Sequence, residues 1–277
     1  MLAMHNYHDV QQSFPWGARC TGYGTWAMSI LPFIEKNQIA MEYDWSIAYW
    51  SGTNNTLMSD LVISTYTCPS DGNNNKASSY REHNYVACMG RERVLAPAAS
   101  RDPQQFNIQN CLVAEGDSSK NSQYQAMFTA SCFDDSYNVP YPLTTTFEGV
   151  TDGTSNTVAI SETVQGVNGN GGNDQRGLIW WGLFCYFNTN LAPNTISPDL
   201  GIATTGTAYD LRHPLGLVIT TGDPNEYGTR FSARSWHTGG VNAGLADGSV
   251  RFVQDQINLE IWRAVGSTNG GETESLH

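Results

Sequence analysis

In SWHTGGVNAGLADGSVRF, residues 235–252, nine residues separate His237 from an Asp-Gly pair, Asp247 and Gly248. An imidazole and a carboxylate are the usual makings of a general base or a metal site, provided they come within hydrogen-bond reach. Ser235 lies two residues before His237 and would share its side of an extended segment, which adds a hydroxyl nucleophile. No oxyanion-hole pattern accompanies that pair, and the sequence contains no nucleophile elbow, H-E-x-x-H, Walker loop or dinucleotide fingerprint. A second group is TDGTSNT, where Asp152, Thr154, Ser155 and Asn156 offer the hard oxygens that calcium takes. The competing reading is an Asx-type turn, and a second acid such as Glu148, Asp174 or Asp247 would be needed to complete a calcium site. In HNYHD, His5 and His8 are three apart with Asp9 next, a spacing that suits either a transition metal or capping and packing near a helix C-terminus. Trp45, Tyr49 and Trp50 sit in a polar context with SGTNN, so they form either an aromatic platform for sugar rings or a neighbouring subunit, or part of the core.

The elements that must position these groups decide among the readings. Asp-Gly between two alternating apolar runs is a strong hairpin signal and predicts a type I′ turn. The gap between His237 and Asp247 is then one strand with its lead-in, and the two side chains stand about 25–30 Å apart if that segment is extended. On this reading the pair shares no centre, and His237 is a structural histidine that locks the turn at Gly239 and Gly240. NLEIWRAV after the hairpin predicts a short helix with Asn258 as N-cap. LAMHNYHDVQ predicts an opening helix, and a second is expected from about Trp26 to Met41, with Pro32 near its first turns or at a kink and Ile30, Phe33, Ile34 and Ile39 on its packing face. HNYVACMG and NTVAISE read as strands, and RGLIWWGLFCYF as a strand buried on both faces or at an interface. Residues 91–146 carry little periodicity and read as an irregular insertion.

The sequence of 277 residues has room for a full core in one large domain. Only 14% of residues are charged, and the formal charge of −12 makes nucleic acid or an anionic membrane surface an unsuitable partner. Cys20, Cys68, Cys88, Cys111, Cys132 and Cys185 are scattered without a C-x-x-C pair, which fits either disulfides in an oxidising compartment or buried thiols. No membrane span or signal peptide is visible. The chain opens inside a helix, which predicts that a further N-terminal segment precedes it in the natural protein.

His237-x9-Asp247-Gly248, with GGVN and ADGSVRF within it, resembles the signature of bacterial prepilin-type proteins with a processing-associated H-x9-DG domain, a domain of unknown function. LAMHNYHDVQQSFPWG (2–17), WAMSILPFIEKNQIAMEYDW (26–45) and FEGVTDGTSNTVAISE (147–162) match it in order, so the resemblance spans most of the chain. It implies an α+β, type IV pilin- or pseudopilin-like fold, an N-terminal helix packed on an antiparallel sheet with long loop insertions. The whole of 1–277 would be one domain, with 1–12 ending the spine helix and 235–268 forming the hairpin and C-terminal helix. The complete protein would carry a prepilin leader and an apolar helix, cleaved and methylated, anchored in the inner membrane before assembly. The resemblance brings an extracytoplasmic, non-enzymatic role in a secretion or surface-fibre assembly, with other pilin-like subunits as partners and no catalytic residues. Calcium at Asp152, Thr154 and Asn156 gains weight because related pseudopilins sometimes hold that ion. The alternative is a surface-displayed module binding carbohydrate or another solute through Trp45, Tyr49 and Trp50. The structural motif comprises His237, Gly239, Gly240, Asn242, Asp247 and Gly248.

Overall fold

Short apolar runs bounded by turn residues build the central sheet. A computed structural model describes residues 1–19, 22–72, 79–91, 126–131, 144–166, 172–201 and 231–272, with the short pieces 76–77, 94–95, 168–169, 217–219, 228–229 and residue 276. Most of 91–146, the segment expected to be an insertion, lies outside the described residues, as do Cys20, Cys111 and Cys132.

Five strands form the sheet: β1 (Tyr85–Cys88), β2 (Val158–Glu162), β3 (Tyr186–Phe187), β4 (Gly240–Leu245) and β5 (Val250–Gln254), in the order β3-β1-β2-β4-β5. The pairs β1/β2, β2/β4 and β4/β5 are antiparallel, while β3 joins the edge of β1 in parallel. The architecture is therefore mixed α and β, and the sheet is not wholly antiparallel as expected. Side chains alternate between its two faces. Tyr85, Ile160, Glu162, Asn242, Gly244 and Val250 lie on one face, beneath α1 (Leu2–Gln11); Ala3 and Met4 of α1 and its N-cap residue Met1 line a cavity with most of them. Val241, Ala243, Leu245 and Val253 point into the core on the opposite side, where Cys88 reaches the carbonyl of Gly266 just beyond α5 (Leu259–Ala264). One apolar cluster runs from Met4 to Val265.

The β4–β5 hairpin forms where Asp-Gly predicts it, but with a different turn. The Gly248 amide donates to the Leu245 carbonyl at 2.9 Å and the Leu245 amide to the Ser249 carbonyl at 2.8 Å, which makes a three-residue loop. Gly248 takes φ +90° and Asp247 does not turn positive, so this is a glycine-bulge loop rather than type I′. Asp247 instead accepts from the amide and hydroxyl of Ser249. The Asn258 carboxamide caps α5 by accepting from the Glu260 amide, as its sequence predicts.

Two expectations are corrected. The helix expected over 26–41 is three pieces: α2 (Trp26–Ser29), a 3-10 turn at Leu31–Ile34 that contains Pro32, and α3 (Asn37–Glu42). Proline removes an amide donor, and Glu35 at φ +62° reverses the chain before α3, so one continuous helix cannot form. A fourth helix, α4, spans Gly52–Met58. The run from Arg176 to Phe187 is buried almost throughout, yet only Tyr186 and Phe187 pair as a strand. Its earlier part folds into successive turns, closed by amides of Leu178, Trp181 and Phe184 donating to carbonyls three residues back. An apolar run fixes burial without fixing extension.

Candidate functional site

The central strand β2 is gripped at both ends by the hairpin beside it. At its start, the amides of Ala246 and Asp247 in the hairpin turn donate to the carbonyls of Thr157 (2.8 Å) and Thr154 (3.0 Å). The same turn meets α1, where His5 Nε2 lies 2.9 Å from the Ala246 carbonyl oxygen. The imidazole covers Gly248 so closely that a Cβ there would stand 3.0 Å from His5 Cε1. At the far end of β2, the Arg234 amide donates to the Glu162 carbonyl, and the Asn242 amide to Glu162 Oε2 at 2.7 Å. The nine-residue interval thus carries β4 along β2, with His237 at one end and Asp-Gly at the other. His237 and Asp247 have separate partners and share no centre.

His237 does not lock the glycine turn. Ser235 does that work: its hydroxyl donates to the Gly240 carbonyl at 2.7 Å and accepts the His237 amide at 3.1 Å. Gly239 takes φ +84°, and a Cβ on Gly240 would collide with the Val253 carbonyl, so both positions need glycine for different reasons. Ser235 is therefore engaged with backbone and is not paired with the imidazole as a nucleophile.

The His237 ring reaches across to two residues absent from the sequence-based candidates. His237 Nε2 lies 3.1 Å from Glu162 Oε1 and 3.5 Å from Cys68 Sγ, and one ligand-type atom from each of the three residues falls within 4.8 Å of the others. The side chains of His237 and Glu162 are 27% and 2% exposed, and Cys68 is 7% exposed. Asn242 Nδ2 also donates to Glu162 Oε1, at 3.2 Å, so Asn242 holds both carboxylate oxygens through its side chain and amide. Tyr85, opposite Glu162 in the sheet register, places its phenol against Cys68. Burial, then the nearby Cys68 and Glu162, push that phenol up to about 12, so it stays protonated at neutral pH.

Each member is held from behind. Cys68 opens the turn Cys68-Pro69-Ser70-Asp71, closed by the Asp71 amide donating to the Cys68 carbonyl. Asn84 accepts from the Cys68 amide and donates to Asp71, whose carboxylate also accepts the Gln165 amide. The segment leading to His237 is anchored by Arg234, which donates to Asp199 and to the carbonyls of Thr195 and Ser197. Arg176 also binds Asp199 and pairs with Asp174, completing a buried network of two cations and two anions. Asp174 is therefore committed to Arg176 and is not a partner for the TDGTSNT loop.

The remaining sequence-based candidates have other partners. The Asp152 carboxylate accepts the amides of Gly270 (2.7 Å) and Gly271 (2.9 Å) and the Ser267 hydroxyl, so donors occupy the oxygens a calcium ion would use. The Thr154 carbonyl takes the Asp247 amide, and the Asn156 carboxamide donates to the Asp152 carbonyl. His8 packs at a tilt against Phe14 and Phe147, apart from the His5 bond to Ala246. Trp45, Tyr49 and Trp50 do not form a platform: Tyr49 is 3% exposed, and Trp45 is half-buried and packs on Trp16 and Tyr43. Trp50, 45% exposed, is the member that offers substantial surface. Cys68, Cys88 and Cys185 are free thiols, and burial pushes that of Cys88 up to about 12.

Beside the three-donor cluster, a cavity of about 380 Å³ opens between α1 and the sheet. Its wall is mainly apolar, with Met4, Trp26, Ile30 and Ile160 among its residues, and Tyr85 and Asn242 form the side shared with the cluster. The sequence model of a family described as "Protein of unknown function (DUF1559)" matches residues 1–260. No curated protein and no solved structure matches this chain.

Proposed function

This chain belongs to the DUF1559 family of proteins of unknown function, and from that premise we propose that it is a non-enzymatic, pilin-like subunit of an extracytoplasmic secretion or surface-fibre assembly. One observation carries the reading: an N-terminal helix is laid on a largely antiparallel sheet and fastened to the Asp-Gly hairpin through His5. A helix fixed in this way can transmit its position to the folded body, as a spine element of an assembly must. The surface supports the same reading. Leu2 and Val10 are exposed on α1, and the edge strand β5 exposes Val250 and Phe252. Among the described residues no strand pairs with the outer edge of β5, and an edge with apolar side chains is a surface that natural proteins ordinarily blunt or cover. Among the described residues no helix is long and apolar enough to cross a membrane.

The test is site-directed cross-linking of the protein exported in bacterial cells, with Val10→Cys and Phe252→Cys introduced singly and together. Subunit contacts through α1 and β5 give a ladder of oligomers that needs both substitutions. Monomers alone, at the expression level of the native gene, overturn the proposal. The cavity supports a second reading, a displayed solute-binding module, because its volume and apolar wall with a few polar groups suit a small ligand. In that case the ligand lies under α1, away from Trp45, Tyr49 and Trp50.

A further inference from the structure

We propose that Cys68, Glu162 and His237 form a binding site for a divalent metal of the zinc class. The case begins with one atom. His237 Nε2 faces both Glu162 Oε1 at 3.1 Å and Cys68 Sγ at 3.5 Å. A ring nitrogen has a single hydrogen or a single lone pair in the ring plane, so it cannot serve a carboxylate and a thiol equally well. A catalytic relay would use the two ring nitrogens separately, one for the carboxylate and one for the sulfur. Here both contacts fall on the same nitrogen.

Donors that converge on one point describe the edges of a coordination polyhedron. With metal–nitrogen and metal–oxygen bonds of about 2.0–2.1 Å and a metal–sulfur bond of about 2.3 Å, tetrahedral angles give edges of about 3.3 Å and 3.6 Å. The two edges at His237, 3.1 and 3.5 Å, are close to those lengths, and the thiol and carboxylate oxygen lie within 4.8 Å of each other. Charge agrees as well: a thiolate, a carboxylate and a neutral imidazole around a divalent ion sum to zero, which suits a buried set. Metal binding releases the Cys68 thiol proton to solvent. The donor types select the ion, since sulfur and nitrogen suit zinc or cobalt whereas calcium and magnesium take oxygen.

The surroundings match a built site. Asn242 fixes both oxygens of Glu162, Asn84 and Asp71 fix the turn that carries Cys68, and Arg234 anchors the approach to His237. Three protein ligands leave a fourth position, and Tyr85 and Asn242, which touch Cys68 and Glu162, also line the cavity under α1.

Zinc and cobalt titrations of the tag-free 277-residue chain test the proposal. The expected result is one equivalent of tightly bound zinc, and a cobalt form with a thiolate-to-metal charge-transfer band and the strong visible bands of tetrahedral cobalt. Cys68→Ser removes the charge-transfer band, and His237→Ala removes stoichiometric binding. Asn242→Ala leaves all three ligands in place and weakens zinc about 10–100-fold, as loss of an orienting partner does. Cobalt spectra without a thiolate band, or wild-type zinc affinity no higher than that of His237→Ala, overturn the proposal. If a ligand variant does not fold, the wild-type cobalt spectrum decides the matter by itself.

Discussion

Replacing Gly248 with alanine tests whether the Asp-Gly hairpin and the N-terminal helix are energetically coupled. Gly248 lies at φ +90°, a conformation that costs an L-residue about 1–3 kcal/mol. The added methyl would stand 3.0 Å from His5 Cε1, so the imidazole must withdraw. Withdrawal weakens the 2.9 Å contact between His5 Nε2 and the Ala246 carbonyl, a bond worth about 0.5–1.5 kcal/mol. Gly248→Ala should therefore destabilise by about 2–4 kcal/mol. In a His5→Ala background the collision disappears while the backbone strain remains, and the cost should fall by about 1 kcal/mol. Urea unfolding followed by tryptophan fluorescence on the four proteins of the cycle measures both quantities. Costs that add to within about 0.5 kcal/mol would refute the coupling. A Gly248→Ala cost below that size would refute the strain argument itself.

Two further outcomes follow from buried charge. Asp199→Ala removes the anion shared by Arg176 and Arg234, both fully buried, and should destabilise by about 3–5 kcal/mol in the same unfolding assay; a near-neutral result would show that water reaches the network. His83 is buried, its Nε2 accepting the Ile63 amide, and burial lowers its pKa from 6.5 to about 4. The unfolded chain binds the proton first, so His83 contributes stability that is complete above pH 6.5 and is lost as pH falls toward 4. The loss is on the order of 3 kcal/mol, and His83→Asn should flatten the stability–pH curve across that window. An unchanged slope in the variant would assign the acid sensitivity to other groups.

What the sequence determined by itself was local. Asp247-Gly248 between alternating apolar runs specified the hairpin, Asn258 specified the start of the last helix, and VAISE specified a strand, because each is set by neighbours a few residues away. Apolar content alone marked 178–187 as buried, though it could not tell turns from strand. The turn type and the broken helix over 26–41 were less legible, since a single positive φ at Gly248 or Glu35 depends on what the chain packs against. The three-donor cluster was not legible at all. Cys68 lies 169 residues from His237, and Glu162 lies 75 from it. In the sequence, Cys68 is one cysteine in a Cys-Pro turn and Glu162 one acid at the end of a strand. Only the strand order, with β2 between β1 and β4, brings that strand end beside the loop before β4 and the turn that carries the thiol. Pairing across a sheet depends on which segments bury their apolar faces together, and that choice is made by the whole core rather than by any one stretch of chain.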